Sequence, residues 1–328
     1  MSEGYSITNI NGDLYVAYPD GRLYSPFGEE GNCTLSVCPV VLSVYGYRPE
    51  LAASIALIAL YSICAIVQIA LGIRYKTWGF MAAMLLGCVD EILGYVGRIL
   101  LWQNPWGETG FIMQIVLITM GPVFFCAAIY VMISKIITYI SPEHSRVNPK
   151  WFYWFFINVD VISLILQAVG GAMSSMSNGE SSAGVNIALA GLAFQVATLA
   201  LFVAVVADYA YRSRSVWMSH NLTIRFKVFC SFLGLATLLI WVRCCYRVYE
   251  LSEGYSQESE ALRDEPLFIA LESVMVVVAA CCLIVAHPGP VFQRQGSNGV
   301  SGLGPAAQEK ALGEQAVKST TESGSESD

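Results

Sequence analysis

Acidic and basic side chains recur at helical spacing inside long apolar stretches of this 328-residue sequence. In one of them, Glu91, Tyr95 and Arg98 follow one another at intervals that a helix places on one face. A charge inside an apolar, membrane-spanning segment is costly, so it usually faces the interior of a helix bundle and marks a binding site or a pathway. The chemistry to consider first is therefore recognition of a charged group within a membrane protein.

Polar stripes of the same kind occur in four further stretches. They comprise Asp160, Gln167 and Gly171; Gly191 and Gln195; Arg243, Tyr246, Arg247 and Glu250; and Glu265, Phe268 and Glu272. At a rise of about 1.5 Å per residue, Glu91 and Gln167 are expected near the middle of the membrane, and Asp160 nearer the cytosol. The charges of the last two stripes, together with Arg98, are expected in the outer half, where they converge on one polar pocket.

An alternative is an ion-pair network that only holds helices together, for example through Arg98 with Glu272 and Glu91 with Gln195. Polar contacts between membrane helices contribute only about 0.6 kcal/mol on average. Because that contribution is small, it does not readily account for so many charges. We therefore favour a binding site over a purely structural network.

The segments that must position these side chains are seven apolar stretches. They extend over residues 51–73, 79–101, 111–137, 151–176, 183–211, 228–249 and 266–286. Each is long enough for a helix to cross the hydrocarbon core of a bilayer. The chain is 55% hydrophobic and 13% charged, whereas soluble domains are about 25% charged. We predict an all-α polytopic membrane protein, a seven-transmembrane-helix bundle in the lipid bilayer.

The sequence has no basic patch with interleaved aromatic residues, so nucleic acid is not an expected partner.

Lysine and arginine are concentrated in the loops on one side of the predicted bundle, including the loop at 212–227. Because cytoplasmic loops carry an excess of basic residues, this pattern predicts the N-terminus outside and the C-terminus in the cytosol. The expected organisation is an extracellular N-terminal segment at 1–49, a transmembrane domain at 50–292 and a tail at 293–328. The tail is rich in Gly, Ser, Glu and Gln, and we expect it to be disordered in the cytosol.

The N-terminal segment contains two features typical of an extracellular location. Asn32 begins the sequence Asn-Cys-Thr, which is an acceptor for N-glycosylation. Cys33 and Cys38 are close in sequence in the same segment, and we favour a disulfide between them over two free thiols. Asn221 begins a second such sequence, but the predicted topology places it in the cytosol, where it would remain unmodified.

The sequence lacks the motifs that are typical of several enzyme and receptor classes. No phosphate-binding Gly-x4-Gly-Lys-Ser/Thr sequence occurs, which argues against ATP hydrolysis by this chain. The three histidines lie in predicted loops or at a helix end, so a zinc hydrolase within the bundle is not expected. The last apolar stretch has no lysine for a retinal Schiff base, and the motifs of rhodopsin-type receptors are absent. We predict no catalytic residue, no metal and no cofactor.

The polar stripes resemble the fungal lipid-translocating exporter, or RTA-like, family over roughly residues 45–292. The matching elements are Glu91-x-x-Gly94-Tyr95-x-x-Arg98, Asp160 with Gln167 and Gly171, Gly191 with Gln195, Arg243-x-x-Tyr246-Arg247-x-x-Glu250, and Glu265-x-x-Phe268-x-x-x-Glu272. Two positions depart from the expected pattern, since Phe268 stands where we expect Tyr and Glu272 where we expect Asp.

The resemblance implies a seven-span transporter that moves an amphiphilic lipid between leaflets, such as a sphingoid long-chain base or a toxic amphiphile, and so confers release or resistance. We expect it in the plasma membrane. Carboxylates would pair with the ammonium group of a long-chain base, and arginine forks would suit a phosphorylated headgroup. The alternative is a seven-span lipid sensor that signals to cytosolic partners like a receptor.

Overall fold

Seven long helices dominate the computed structural model, which describes residues 5–10, 13–26, 31–43, 45–140, 149–176, 182–214, 224–252 and 264–292. All seven are long and apolar enough to cross a membrane. They are α1 Leu51–Tyr75, α2 Trp78–Gln103, α3 Glu108–Ile140, α4 Pro149–Met176, α5 Ser182–Arg212, α6 Ile224–Ser252 and α7, which begins at Glu265 and ends at Val285. The predicted seven-span all-α bundle is confirmed, with helix ends within about one turn of the predicted ones. The predicted tail at 293–328 and Asn221 lie outside the described residues.

The last spanning helix, α7, has three parts. Glu265–Phe268 is α-helical, Ile269–Val274 is π-helical and Met275–Val285 is α-helical again. A short helix α8, Gly289–Phe292, follows it. Segments of π-helix are rare and are frequent at functional sites, and this one carries a buried glutamate.

The N-terminal segment forms a small sheet that the sequence analysis did not predict. Its antiparallel strands are β1 Ser6–Ile10, β2 Asp13–Ala17 and β3 Leu23–Tyr24, in the order β1-β2-β3. A disulfide joins Cys33 to Cys38, whose Cα atoms are 5.4 Å apart. Both cysteines pack with Trp106 from the α2–α3 connection, so the segment is attached to one end of the bundle.

Helices adjacent in sequence approach each other closely where glycines face each other. A Cβ on Gly97 of α2 would lie 2.8 Å from the backbone nitrogen of Gln114 on α3. A Cβ on Gly110 would lie 3.0 Å from the carbonyl oxygen of Gly97. In α4, a Cβ on Gly170 would lie 2.4 Å from the backbone nitrogen of Ala188 on α5. Small residues allow such contacts between membrane helices, where no hydrophobic effect drives association.

The bundle buries large aromatic rings in its centre and exposes many aliphatic side chains on its outer surface. Fully buried rings such as Tyr61, Phe125 and Phe229 fill the centre. Aliphatic side chains such as Ile66, which is 65% exposed, and Leu238, which is 52% exposed, point away from the bundle. Exposed aliphatic residues along helices of this length are expected where the helices face lipid.

Candidate functional site

Six charged side chains from three helices form a cluster near one end of the bundle. We call them the charged cluster: Arg98 of α2; Arg243, Arg247 and Glu250 of α6; and Glu265 and Glu272 of α7. This end, where α1, α3, α5 and α7 begin, is called the N-terminal face below. Because α2 and α6 run towards it and α7 begins there, the C-terminal parts of α2 and α6 lie beside the first turns of α7.

Arg243 and Glu272 form the central ion pair of the cluster. Arg243 is 1% exposed and Glu272 is 0% exposed, and Nη2 of Arg243 donates to Oε1 of Glu272. The same nitrogen donates to the backbone oxygen of Ile118 on α3 at 2.8 Å. That carbonyl lies four residues before Pro122, which is inside the helix and has no N–H to offer it. Arginine therefore bonds the backbone acceptor that proline leaves open.

Arg247 extends this pair along α6. Its Nη1 lies 2.5 Å from Oε2 of Glu250, and its Nη2 donates to Oγ1 of Thr119 on α3 at 3.2 Å. Its Nε is 3.8 Å from Oε1 of Glu272. Glu272 therefore lies between two guanidinium groups, one in direct contact and one slightly more distant.

Arg98 forms a second ion pair closer to the N-terminal face. Its Nη2 donates to Oε1 of Glu265 at 2.8 Å and to the hydroxyl of Tyr47 at 3.3 Å. The same carboxylate oxygen accepts the backbone N–H of Glu50, just before α1, at 2.8 Å. Glu265 thus connects the start of α1 with α2 and α7. The structural alternative that paired Arg98 with Glu272 is wrong, because Arg98 pairs with Glu265, which lies about two helical turns nearer to the face.

An aromatic ring covers the guanidinium of Arg98. Its Cζ lies 4.4 Å from the centre of the Phe268 ring, within the range of cation–π contacts. This contact uses the ring face, so the hydroxyl that Phe268 lacks relative to the expected Tyr is not needed for it. Burial raises the pKa of the Tyr47 phenol, and the nearby Arg98 acts in the opposite direction. Tyr47 therefore meets Arg98 as a neutral hydroxyl.

Glu91 lies beside the charged cluster without joining its ion pairs. It is 0% exposed, and neither of its carboxylate oxygens has a hydrogen-bond partner among the described residues. The predicted alternative contact between Glu91 and Gln195 is wrong, since Gln195 accepts from Gln167 instead. Tyr95, one turn further along α2, stacks on Tyr61 of α1 with ring centres 6.0 Å apart.

The remaining predicted site residues divide into two groups. Tyr246 is buried on α6 beside Arg247 and interacts electrostatically with Glu250. The polar residues of α4 and α5 bond elsewhere: the hydroxyl of Tyr130 on α3 donates to Asp160 at 2.8 Å. Gln167 Nε2 donates to Gln195 Oε1 at 3.0 Å. These bonds connect α4 to α3 and α5, so Asp160, Gln167 and Gln195 are not brought into the charged cluster.

Four contributors to the region were missed by sequence reasoning. They are Tyr47, Tyr61, Thr119 and the Ile118 carbonyl beside Pro122. Two of them, the Ile118 carbonyl and Tyr61, could have been recognised from the sequence. A proline inside an apolar stretch exposes the carbonyl four residues before it, and the buried face of α1, Ser54, Leu57, Tyr61, Cys64 and Gln68, repeats at helical spacing.

The chemistry of this arrangement is exchange of ion-pair partners. Buried carboxylates and guanidinium groups are already desolvated, so a charged headgroup can replace one member only if the other charges remain paired. Among the described residues, no group of three or more His, Cys, Asp or Glu side chains could hold a metal ion.

Comparison with known proteins agrees with this architecture. A family model described as RTA1 like protein matches residues 84–295. The sphingoid long-chain base transporter RSB1 of Saccharomyces cerevisiae is 28% identical over 289 residues, covering 76% of this chain and 75% of that protein. Protein RTM1 of Saccharomyces cerevisiae is 27% identical over 238 residues, covering 67% and 73%. Protein RTA1 of the same species is 25% identical over 274 residues, covering 75% and 84%. No solved structure matches the chain. The family match extends over more than half of the sequence, and the chain belongs to the RTA1-like protein family.

Proposed function

We propose that this protein is a membrane transporter that moves an amphiphilic lipid with a cationic headgroup, such as a sphingoid long-chain base, between the two leaflets. Toxic amphiphiles of the same charge would be handled alike, so that the protein confers release or resistance. We further propose that it resides in the plasma membrane with its N-terminus outside. The relative named as a sphingoid long-chain base transporter supports this substrate class.

The observation that carries the proposal is the buried charged cluster. Structural ion pairs in a bundle need only balance each other, but here Glu272 lies between Arg243 and Arg247, and Arg247 also contacts Glu250. A network in which carboxylates and guanidinium groups have more than one neighbour can change partners without leaving a charge unpaired. Intramembrane charges arranged in this way are typical of substrate and ion pathways.

The proposed mechanism follows from charge. The ammonium group of a long-chain base pairs with Glu250 or Glu272, and the displaced guanidinium moves to the neighbouring carboxylate. The hydrocarbon tail remains in the lipid outside the bundle, where the exposed aliphatic surface of the helices lies. The polar headgroup thus crosses the bilayer beside opposite charges, while the apolar tail never leaves an apolar environment.

The test uses purified protein in phosphatidylcholine liposomes and a long-chain base that is labelled at the tail end, so that its amine stays free. Impermeant dithionite quenches the label in the outer leaflet, and the protected fraction reports leaflet exchange. We expect Glu272→Gln, Glu250→Gln and Arg247→Ala each to slow this exchange about tenfold or more. The estimate follows because a hydrogen bond to a charged group contributes about 1.5–3 kcal/mol, and about 1.4 kcal/mol is a factor of ten.

A matched control is available in the pair formed by Arg212 and Asp208 on α5. It is a salt bridge of 3.0 Å between side chains that are 43% and 42% exposed. Asp208→Asn should leave leaflet exchange unchanged, because exposed pairs contribute little. Wild-type protein that moves the labelled base no faster than empty liposomes would contradict the proposed function. Cluster variants that fold and transport normally would contradict the proposed site.

A further inference from the structure

Unlike every member of the charged cluster, Glu91 has no ion-pair partner among the residues that the structure describes. It lies midway along α2, is 0% exposed, and receives no hydrogen bond from the described residues at either oxygen. Gly121 of α3 packs directly against it, since a Cβ at that position would lie 2.6 Å from Oε1 of Glu91. The carboxyl group is thus enclosed closely on this side, and in this state the site does not accommodate a lipid headgroup there.

The titratable groups facing Glu91 come from every helix around it except α3, which contributes Gly121. They are Tyr61 of α1; Cys88, Asp90 and Tyr95 of α2; Arg243 of α6; and Glu272 of α7. Arg243 is the one base in this set, and it is already bonded to Glu272 and to the Ile118 carbonyl. Glu91 therefore competes for a cation that another carboxylate holds.

The balance of charge leads to the same conclusion. The charged cluster contains three arginines and three glutamates, and every arginine is within ion-pair distance of at least one of those glutamates. Glu91 is a fourth carboxyl group beside a cluster that is already neutral. An ionised carboxylate without a counter-ion is very unfavourable at this depth, and such a group neutralises by taking up a proton. A proton is also the one cation that needs no additional volume in a closed site.

We propose that Glu91 is an intramembrane proton-binding site, occupied by a proton in the state shown, and that this proton is exchanged for the cationic headgroup during translocation. In the exchange, the carboxyl O–H bond breaks and the proton passes to water. The ammonium group then pairs with the carboxylate, so the net charge of the site does not change. The exchange step rests on the proposed transport function, whereas proton binding does not.

Proton binding is tested without transport, by infrared spectroscopy of the purified full-length protein at neutral pH. The carbonyl stretch of a protonated carboxylic acid is separate from the carboxylate bands. We expect Glu91→Gln to lose such a band, whereas Asp90→Asn, which changes the adjacent carboxyl group of a less buried residue, should keep it. A spectrum that is the same in wild type and Glu91→Gln would overturn the proposal. Wild-type protein with ¹³C-labelled glutamate gives a second measurement that needs no variant, because the band must shift if it belongs to a glutamate.

Exchange is tested in proteoliposomes that contain a trapped pH-sensitive dye, with valinomycin and potassium clamping the membrane potential. The probe is N,N,N-trimethylsphingosine, whose fixed positive charge prevents it from carrying a proton across the bilayer by itself. We expect the probe to drive a protein-dependent proton flux, which falls to the level of empty liposomes in Glu91→Gln and persists in Asp90→Asn.

The outcomes separate this inference from the proposed function. Probe movement without proton flux would overturn the exchange step while the transport function stands. If the wild-type protein does not move the probe or the labelled base, the proposed function fails and the exchange step fails with it. The infrared result then still decides whether Glu91 binds a proton.

Discussion

The ion pair of Arg243 and Glu272 allows a quantitative test of whether the charged cluster stabilises the bundle, binds substrate, or does both. The perturbation is a double-mutant cycle of Arg243→Met, Glu272→Met and the combined variant. Each single change leaves one charge without its direct partner among side chains that are 0–1% exposed. Breaking a buried pair in this way costs about 3–5 kcal/mol of unfolding free energy.

The combined variant should lose much less. Replacing a buried ion pair with apolar residues of similar volume is neutral or stabilising by about 1–4 kcal/mol. Against this gain, the Ile118 carbonyl loses the donor that Arg243 provides, which costs about 1–3 kcal/mol for an unsatisfied buried acceptor. Because Arg247 keeps its partner Glu250, no further charge is orphaned. The combined variant is therefore expected within about 3 kcal/mol of the wild type.

The assay is reversible unfolding in mixed micelles by titration with sodium dodecyl sulfate, with leaflet exchange of the labelled base measured on the same preparations. We expect the combined variant to be more stable than either single variant and yet inactive in transport. If it is less stable than both, the pair does not act as a coupled ion pair and the energetic reasoning is refuted. If it is stable and transports at the wild-type rate, the pair is structural and the site must lie elsewhere.

Three further predictions follow from individual contacts. Cys64 of α1 and Cys281 of α7 have sulfur atoms 3.8 Å apart, so a variant that retains these two as its only free cysteines should form an internal disulfide with copper-phenanthroline. Mass spectrometry detects the link, and additional Cys64→Ser should abolish it. Phe268→Leu should lower stability by about 0.5–2 kcal/mol through loss of the ring over Arg98, whereas Phe268→Tyr should not; equal thermal stability of the two variants would exclude this contact as a contributor. Finally, an outside N-terminus predicts that Asn32→Gln increases electrophoretic mobility by removing a glycan. It also predicts that a C-terminal tag resists protease on intact cells. Cleavage of the tag without permeabilisation would contradict the predicted orientation.

The seven spans were predictable because each depends on a local property of the sequence. An apolar stretch of sufficient length becomes a helix in lipid whatever its neighbours are, since every backbone group must be satisfied within the segment. The inward orientation of charged residues was also predictable, because placing a charged side chain in lipid is energetically costly. Glu91, Arg98, Arg243 and Glu272 are all buried, as residues that avoid lipid should be.

The choice of partner was not predictable, because it depends on the rotation and offset of one helix against another. The position of α7 along the bundle axis relative to α2 brings Glu265, rather than Glu272, to Arg98. The π-helical segment Ile269–Val274 changes the angular position of the residues that follow, and both Glu272 and its neighbour Ser273 are buried. No sequence periodicity indicates where such a segment begins. Asp160 was a candidate site residue that we expected nearer the cytosol than the other charges, and its partner Tyr130 was not predicted.

The hydrogen bond from Arg243 to the carbonyl of Ile118, which Pro122 leaves without its helical donor, relates the stability of the bundle to the proposed transport. Proline leaves the Ile118 carbonyl without its helical donor, and Arg243 supplies one, so α3 is held to α6 by the same arginine that pairs with Glu272 of α7. Releasing that arginine would expose a backbone acceptor and a carboxylate at once, which is unfavourable in lipid. A headgroup that enters the cluster must therefore supply a positive charge as it displaces one. Under the proposed function, this requirement would select cationic amphiphiles over neutral or anionic ones, and the network that holds three helices together would also recognise the substrate.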